Sequence, residues 1–206
     1  MTRVRLGIDF DNTLIDYDHV FLAEARARGL VDAEFCGSKR MVRDSIRLLP
    51  EGEIAWQRLQ GYVYGMGITD ARLFEGAREF LRRCRERCIP VFIVSHKTRY
   101  GNYDSNRVDL REAALGWLGG QGFFQPGACL VPVEHIFFAD TRAAKVARIA
   151  ALGCTHYIDD LEEVFAEPDF PVAVKRILFA SSENPHVDVI CQRWDQMAAA
   201  VFDDAD

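Results

Sequence analysis

The sequence predicts an α/β fold: a Rossmann-like core with a largely parallel sheet, carrying a small inserted helical cap. Short apolar runs alternate with segments of helical period along the chain. The interval between the first two runs, about eighty residues, is far longer than one crossover helix requires. Pairs of acidic residues also stand directly after apolar runs, and strand-end loops in open α/β sheets are where ligands bind.

The first apolar run, Val4, Leu6, Gly7 and Ile8, predicts a buried strand from Val4 to Ile8. Further strands are expected at Val91 to Val94, His135 to Ala139, Thr155 to Ile158 and Val174 to Phe179. Helical patterns run from Gly76 to Arg87, Val108 to Leu118, Thr141 to Leu152 and Val189 to Val201. The helix after Gly76 offers Phe80, Leu81 and Cys84 for burial and turns Arg82, Arg83, Arg85 and Arg87 outward, a solvated face. Residues 16–70 are rich in helix formers and broken by Gly29, Gly37, Pro50, Gly61, Gly65 and Gly67. They read as a helical cap over the strand ends, which leaves 1–15 and 71–206 as the core. Inside this insert Trp56, Leu59, Tyr62, Val63 and Met66 lie at helical spacing, a pattern that suits either cap core or a substrate-facing wall.

A chain of 206 residues with 49% apolar and 27% charged residues suits one medium domain, or one domain with an insert. The formal net charge of −6 argues against a nucleic-acid polymer as partner, since such binders show a basic stripe. No apolar run reaches the length of a membrane span. The first strand follows the initiating Met so closely that no signal peptide is expected. Cys36, Cys84, Cys88, Cys129, Cys154 and Cys191 form no CxxC pair, which points to free thiols in a reducing cytoplasm rather than a zinc or disulfide framework.

The chemistry concentrates in a few positions. Asp9-Phe10-Asp11-Asn12-Thr13 puts two carboxylates at the end of the first strand. Asp and Asn are common in ordinary turns, but two adjacent carboxylates repel unless a cation or shared proton relieves them. A hard divalent ion such as Mg2+ is the simplest relief. It would leave one acid as a nucleophile and its neighbour as a proton donor and acceptor. Ser95 ends the second strand, followed by His96, Lys97 and Thr98, where a hydroxyl and backbone amides suit phosphate oxygens. Lys145 lies near the start of a helix, and Asp159-Asp160 ends the following strand. One of that second acidic pair also suits an N-cap, because a helical pattern resumes from Leu161 to Phe165.

In this order the residues resemble the haloacid dehalogenase superfamily of phosphohydrolases and phosphotransferases. Asp9 to Thr13 is similar to its first motif, Ser95 to its second, and Lys145 and Asp159-Asp160 to its third and fourth, spanning residues 4 to 160. The resemblance implies that Asp9 attacks phosphorus and that Asp11 protonates the leaving oxygen and then activates water. The dehalogenase branch lacks this second acid. Mg2+ is implied on Asp9, the backbone carbonyl of Asp11 and Asp160, with Asp159 in support; Ser95 and Lys145 would neutralise the phosphoryl oxygens. Asn12 stands where Gly is common, and both tolerate positive φ. Val164 stands where one branch carries a further acid, and Lys97 competes with Lys145 for the phosphate. Asn12, Thr13, His96 and Lys97 are assigned to substrate binding. Arg99 and Tyr103, with cap residues near Trp56 and Tyr62, are assigned to the leaving-group pocket. Trp117-Leu118, Lys145 and Ile158-Asp159-Asp160 loosely resemble the deoxyribonucleotidase-like branch. The expected activity is Mg2+-dependent hydrolysis of a small phosphorylated metabolite, a sugar phosphate or nucleotide. A phosphotransferase or mutase, or a non-catalytic phosphate-binding protein, is the alternative.

Overall fold

A computed structural model describes residues 3–180 and 187–203. In chain order the elements are β1 (Leu6–Ile8), β2 (Ile15–Asp16), α1 (Asp18–Ala27), α2 (Lys39–Arg47), α3 (Gly52–Tyr64), a 3-10 turn (Met66–Asp70), β3 (Arg72–Leu73) and α4 (Ala77–Glu86). There follow β4 (Val91–His96), α5 (Leu110–Gly120), β5 (Ile136–Ala139), α6 (Arg142–Ala151), β6 (His156–Asp159), α7 (Glu162–Phe165), β7 (Lys175–Phe179), β8 (Val189–Cys191) and α8 (Trp194–Phe202). They divide into two compact units. One comprises Met1–Ile15, Leu73–Lys97 and Gly122–Asp206; the other comprises Asp16–Arg72 and Thr98–Gln121. The short strands β2 and β3 pair as a ribbon where the chain passes from the first unit into the second and returns.

The first unit holds a six-stranded sheet in the order β5-β4-β1-β6-β7-β8, parallel at every pairing. A parallel sheet is covered on both faces, so its strands read as near-continuous apolar runs, which is why they were legible. After β1 the chain builds outward through β4 and β5, then returns to lay β6 on the other flank of β1, with Leu6 opposite Val91 and His156. The strand order therefore reverses beside β1, and ligands of open α/β sheets bind at such a point.

Gly7 is fixed by packing. A Cβ there would stand 2.5 Å from Cδ2 of Tyr157 and 3.1 Å from Sγ of Cys154. The Tyr157 ring has little room to withdraw, because its hydroxyl donates to the Val94 carbonyl. Gly7→Ala is expected to cost roughly 1–3 kcal/mol of overpacking, measured by urea unfolding. An unchanged midpoint would show that the ring can swing aside.

Toward the C-terminus the structure departs from the helix expected at Val189 to Val201. Val189–Cys191 instead forms the edge strand β8, with Val189 opposite Ile177 of β7. The helix α8 begins only at Trp194, where the Gln196 side-chain oxygen accepts from the backbone N–H groups of Gln192 and Arg193 at 2.8 and 3.2 Å. A β-branched pair followed by a polar turn satisfies an edge strand as well as a first helical turn.

The second unit has its own core. Trp56 stacks on Phe21 with ring centroids 5.0 Å apart, and Tyr17, Val42, Ile46, Leu59 and Val63 are buried with them. Trp56, Leu59 and Val63 are thus core residues, whereas Tyr62 is half-buried and Met66 exposed. This unit also takes in 98–121, which the sequence reading places with the core domain. The buried face of α5 includes Leu110, Ala114, Trp117 and Leu118, and the Trp117 indole N–H donates to the Ala71 carbonyl at 3.3 Å. An amphipathic pattern shows that a helix has a buried face without naming the surface that covers it.

All six cysteines are unpaired. Burial pushes the Cys84 thiol up to about 12 and Cys154 to about 11, which leaves both unreactive. Among the described residues no helix is long and apolar enough to cross a membrane.

Candidate active site

The backbone sets the site first. The Asp9 N–H donates to the Ile158 carbonyl at 2.8 Å, extending the β1–β6 ladder to the strand end. The chain then turns sharply: Leu14 and Ile15 both donate to the Phe10 carbonyl at 3.1 Å, and Asn12 donates to Ile15 at 2.9 Å. Asn12 has φ 60°, a left-handed conformation that Asn accepts more readily than most residues with a side chain. Phe10 and Leu14 are buried anchors, and the Trp194 indole N–H donates to the Thr13 carbonyl at 3.1 Å.

Three carboxylates gather at these strand ends. Asp9, Asp159 and Asp160 each bring an oxygen to within 4.8 Å of the others. Asp9 and Asp159 are buried; Asp160 is half-buried and accepts from the Thr13 hydroxyl at 3.3 Å. Asp159 serves twice, because one oxygen accepts the Leu161 N–H at 3.0 Å just before α7 while the other faces Lys145. The set consists of hard oxygen donors, which suits a hard divalent cation.

Lys145, 1% exposed on α6, donates to Asp9 Oδ1 and Asp159 Oδ2 at 2.6 Å each. Its ammonium also lies 5.6 Å from the centre of the Tyr157 ring. Burial works to lower its pKa, but Asp159 and Asp9 overcome that and hold it well above the usual value. Burial also pushes the Asp159 carboxyl up to about 7, against the pull of Lys145. Three carboxylates against one ammonium leave two formal negative charges in the cluster, which matches a divalent cation.

Lys97, equally buried, goes to the other acid. Its Nζ lies 3.0 Å from Asp11 Oδ1 and 2.8 Å from Oδ2. The two lysines therefore divide the acids between them, an arrangement that spacing alone left open. Ser95, at the end of β4, is 1% exposed. Its Oγ and the Asn12 Oδ1 are buried polar atoms with no hydrogen-bond partner among the described residues. Such orphans are rare in folded proteins, and a bound ligand accounts for them directly.

The remaining sequence candidates have partners of their own. His96 is exposed, and its Nε2 pairs with the Asp140 carbonyl at 3.0 Å rather than with any acid of the cluster. Arg99 belongs to the second unit and donates to Asp109 Oδ2 at 2.7 Å. That hydrogen bond holds the Asp109 carboxyl below its usual range. Oδ1 of Asp109 caps α5 through the N–H groups of Arg111 and Glu112. Arg99 thus ties its loop to a helix start. Tyr103 and Tyr62 line one cavity of 350 Å³ in the second unit, and neither Arg99 nor Trp56 is among its walls. Tyr157 escaped the sequence reading. It stands two residues before Asp159, and strand alternation puts both on one face of the sheet.

No family model and no curated protein matches the sequence. Solved structures do. A haloacid dehalogenase-like family hydrolase from Streptococcus pneumoniae is 14% identical, with a TM-score of 0.64 over 97% of this chain and 99% of its own. A HAD family hydrolase from Deinococcus radiodurans R1, crystallised with bound phosphate and sodium, is 14% identical with a TM-score of 0.61, covering 98% of this chain and 96% of its own. A HAD-superfamily hydrolase of subfamily IA from Geobacter sulfurreducens PCA is 11% identical, with a TM-score of 0.58 over 97% and 96%. Each match spans nearly the whole of both chains, and with a parallel sheet whose order reverses beside β1, this chain has the haloacid dehalogenase-like hydrolase fold.

Proposed function

We propose that this chain is a haloacid dehalogenase-superfamily phosphatase that hydrolyses a small phosphomonoester, a sugar phosphate or nucleotide, with Mg2+ through an aspartyl-phosphate. The observation that carries the reading is the convergence of Asp9, Asp159 and Asp160 around a shared lysine, beside a buried serine hydroxyl with no partner. The phosphate bound to the structurally similar Deinococcus hydrolase supports the same chemistry.

Asp9 attacks phosphorus, forming an aspartyl O–P bond while the bond to the leaving oxygen breaks. Asp11 in its protonated form gives its proton to that oxygen, which leaves the carboxylate that Lys97 holds, then takes one from the water that cleaves the Asp9 phosphoester and releases phosphate. Lys145 fixes the Asp9 carboxylate against rotation, and Lys97 does the same for Asp11. The Ser95 hydroxyl donates to a phosphoryl oxygen, the kind of fixed donor that lowers barriers to phosphoryl transfer most. Mg2+ held by Asp9, Asp160 and the Asp11 carbonyl, with Asp159 in support, would supply charge neutralisation at the phosphoryl oxygens.

The test is a screen of nucleotides, sugar phosphates and phospho-acids with Mg2+ and with EDTA. Phosphate release from at least one substrate, lost in EDTA, is expected. Silence across the panel with Mg2+ present would end the reading. Asp11→Asn should slow turnover by roughly 10²–10⁴-fold yet bind Mg2+ as the parent does in calorimetry, because its metal contact is through the backbone. Unimpaired turnover in this variant would remove Asp11 from the chemistry.

A further inference from the structure

The second unit contains a cavity of 350 Å³ whose walls include Arg28, Arg58, Tyr62, Tyr103, Ser105 and Asn106. Its volume lies at the small end of the range for small-molecule sites. Two guanidiniums and two aromatic rings meet there. Arg28 lies 4.7 Å from the centre of the Tyr62 ring, and Arg58 lies 5.9 Å from that of Tyr103. Arg28 is ion-paired with Glu24 through Nε at 2.7 Å, which leaves its remaining N–H groups to face the cavity. Arg58 has no hydrogen-bond or carboxylate partner among the described residues; its guanidinium lies over the Tyr103 ring. The acid in the wall, Asp104, keeps its negative charge, but its two oxygens are turned to the backbone N–H groups of Asn106 and Val108 at 2.9 and 2.8 Å.

The loop that forms one wall is held in place by backbone. A Cβ on Gly101 would stand 2.7 Å from the Gly61 Cα, so the loop lies directly against α3 only because residue 101 is glycine; a Cβ on Gly61 would meet nothing closer than 3.5 Å. Beyond that contact Tyr103 adopts φ 57° and Arg107 φ 49°, conformations that side-chain-bearing residues rarely take. These turns hold Tyr103, 58% exposed, beside Arg58.

We infer that this cavity is a second ligand site, inside the helical unit, for a compact aromatic anion. Guanidinium groups recognise phosphate-type and carboxylate oxygens through paired N–H donors. The tyrosine rings receive a flat apolar ring, and Ser105 and Asn106 complete the polar wall. The site shares no residue with the acid cluster and does not depend on the phosphatase reading.

The probe is phenylphosphonate, whose C–P bond resists hydrolysis, titrated calorimetrically into the full chain in EDTA, with inorganic phosphate as the ringless control. Phenylphosphonate should bind at least about 10-fold more tightly than phosphate. Arg58→Ala and Arg28→Ala should each weaken it by roughly 10-fold or more, while Ser95→Ala leaves it unchanged. Circular dichroism of each variant separates lost binding from lost folding. As a second route, Gly101→Ser should weaken the probe with both arginines intact, by lifting the loop from α3. Equal affinity for phosphate and phenylphosphonate would overturn the inference. So would binding that survives both arginine variants, or binding lost in Ser95→Ala, which would move the probe to the acid cluster.

Discussion

Asp9→Asn is expected, under the proposed function, to reduce phosphatase turnover by roughly 10⁴–10⁶-fold, the scale on which loss of a nucleophile is felt. An amide oxygen is a poor nucleophile at phosphorus, and the change also removes one of three carboxylates from the cluster. The folded state should tolerate it, because an amide of nearly the same shape still accepts from Lys145. Acid quenching during turnover followed by peptide mass spectrometry reads the result: a phosphoryl group on residue 9 in the parent and none in the variant. Full turnover in Asp9→Asn would exclude chemistry through an aspartyl-phosphate.

Lys145→Met carries the largest expected effect on stability. The ammonium is buried between Asp9 and Asp159 at 2.6 Å from each, and removing it leaves two buried carboxylates facing one another. Breaking a buried ion pair from one side costs about 3–5 kcal/mol. Under the proposed function Mg2+ should recover part of that loss, since a ligand bound only by the folded state stabilises it by mass action. Urea unfolding of parent and variant, each in EDTA and in Mg2+, separates the two contributions. A loss below about 1 kcal/mol in EDTA would show that the carboxylates relax apart without the lysine.

How much of this was readable beforehand depended on the range of the interaction. Val4 to Ile8, Val91 to Val94 and Thr155 to Ile158 announce themselves because a strand buried on both faces has no polar alternation to hide it. Asp9, Asp11, Ser95 and Asp159-Asp160 were found as polar residues ending such runs, a local signal. The partners were not local. Lys97 and Lys145 look alike as lone lysines, and only the fold sends one to Asp11 and the other to Asp9 and Asp159. Arg99 looked like a substrate cation because it follows Ser95 closely. Its actual partner, Asp109, is ten residues on, at a helix cap. The segment 98–121 has an apolar helix face that several surfaces would satisfy. Val189 to Cys191 is too short for periodicity to separate an edge strand from a first helical turn.

The placement of β1 also bears on how the protein is born on the ribosome. Leu6 of β1 pairs with Val91 on one side and His156 on the other, so both its ladders wait for chain synthesised long afterwards. The acid cluster cannot exist until Asp160 has left the exit tunnel, and no metal ion can template the early chain. Both edges of this short apolar segment are unpaired until β4 emerges, and one remains so until β6 does, the condition under which nascent α/β proteins aggregate or engage chaperones. A stalled chain released before residue 156 should therefore collapse around β1 and β4 with an open edge at the centre of the future sheet. Its solubility should then rise abruptly once β6 can dock.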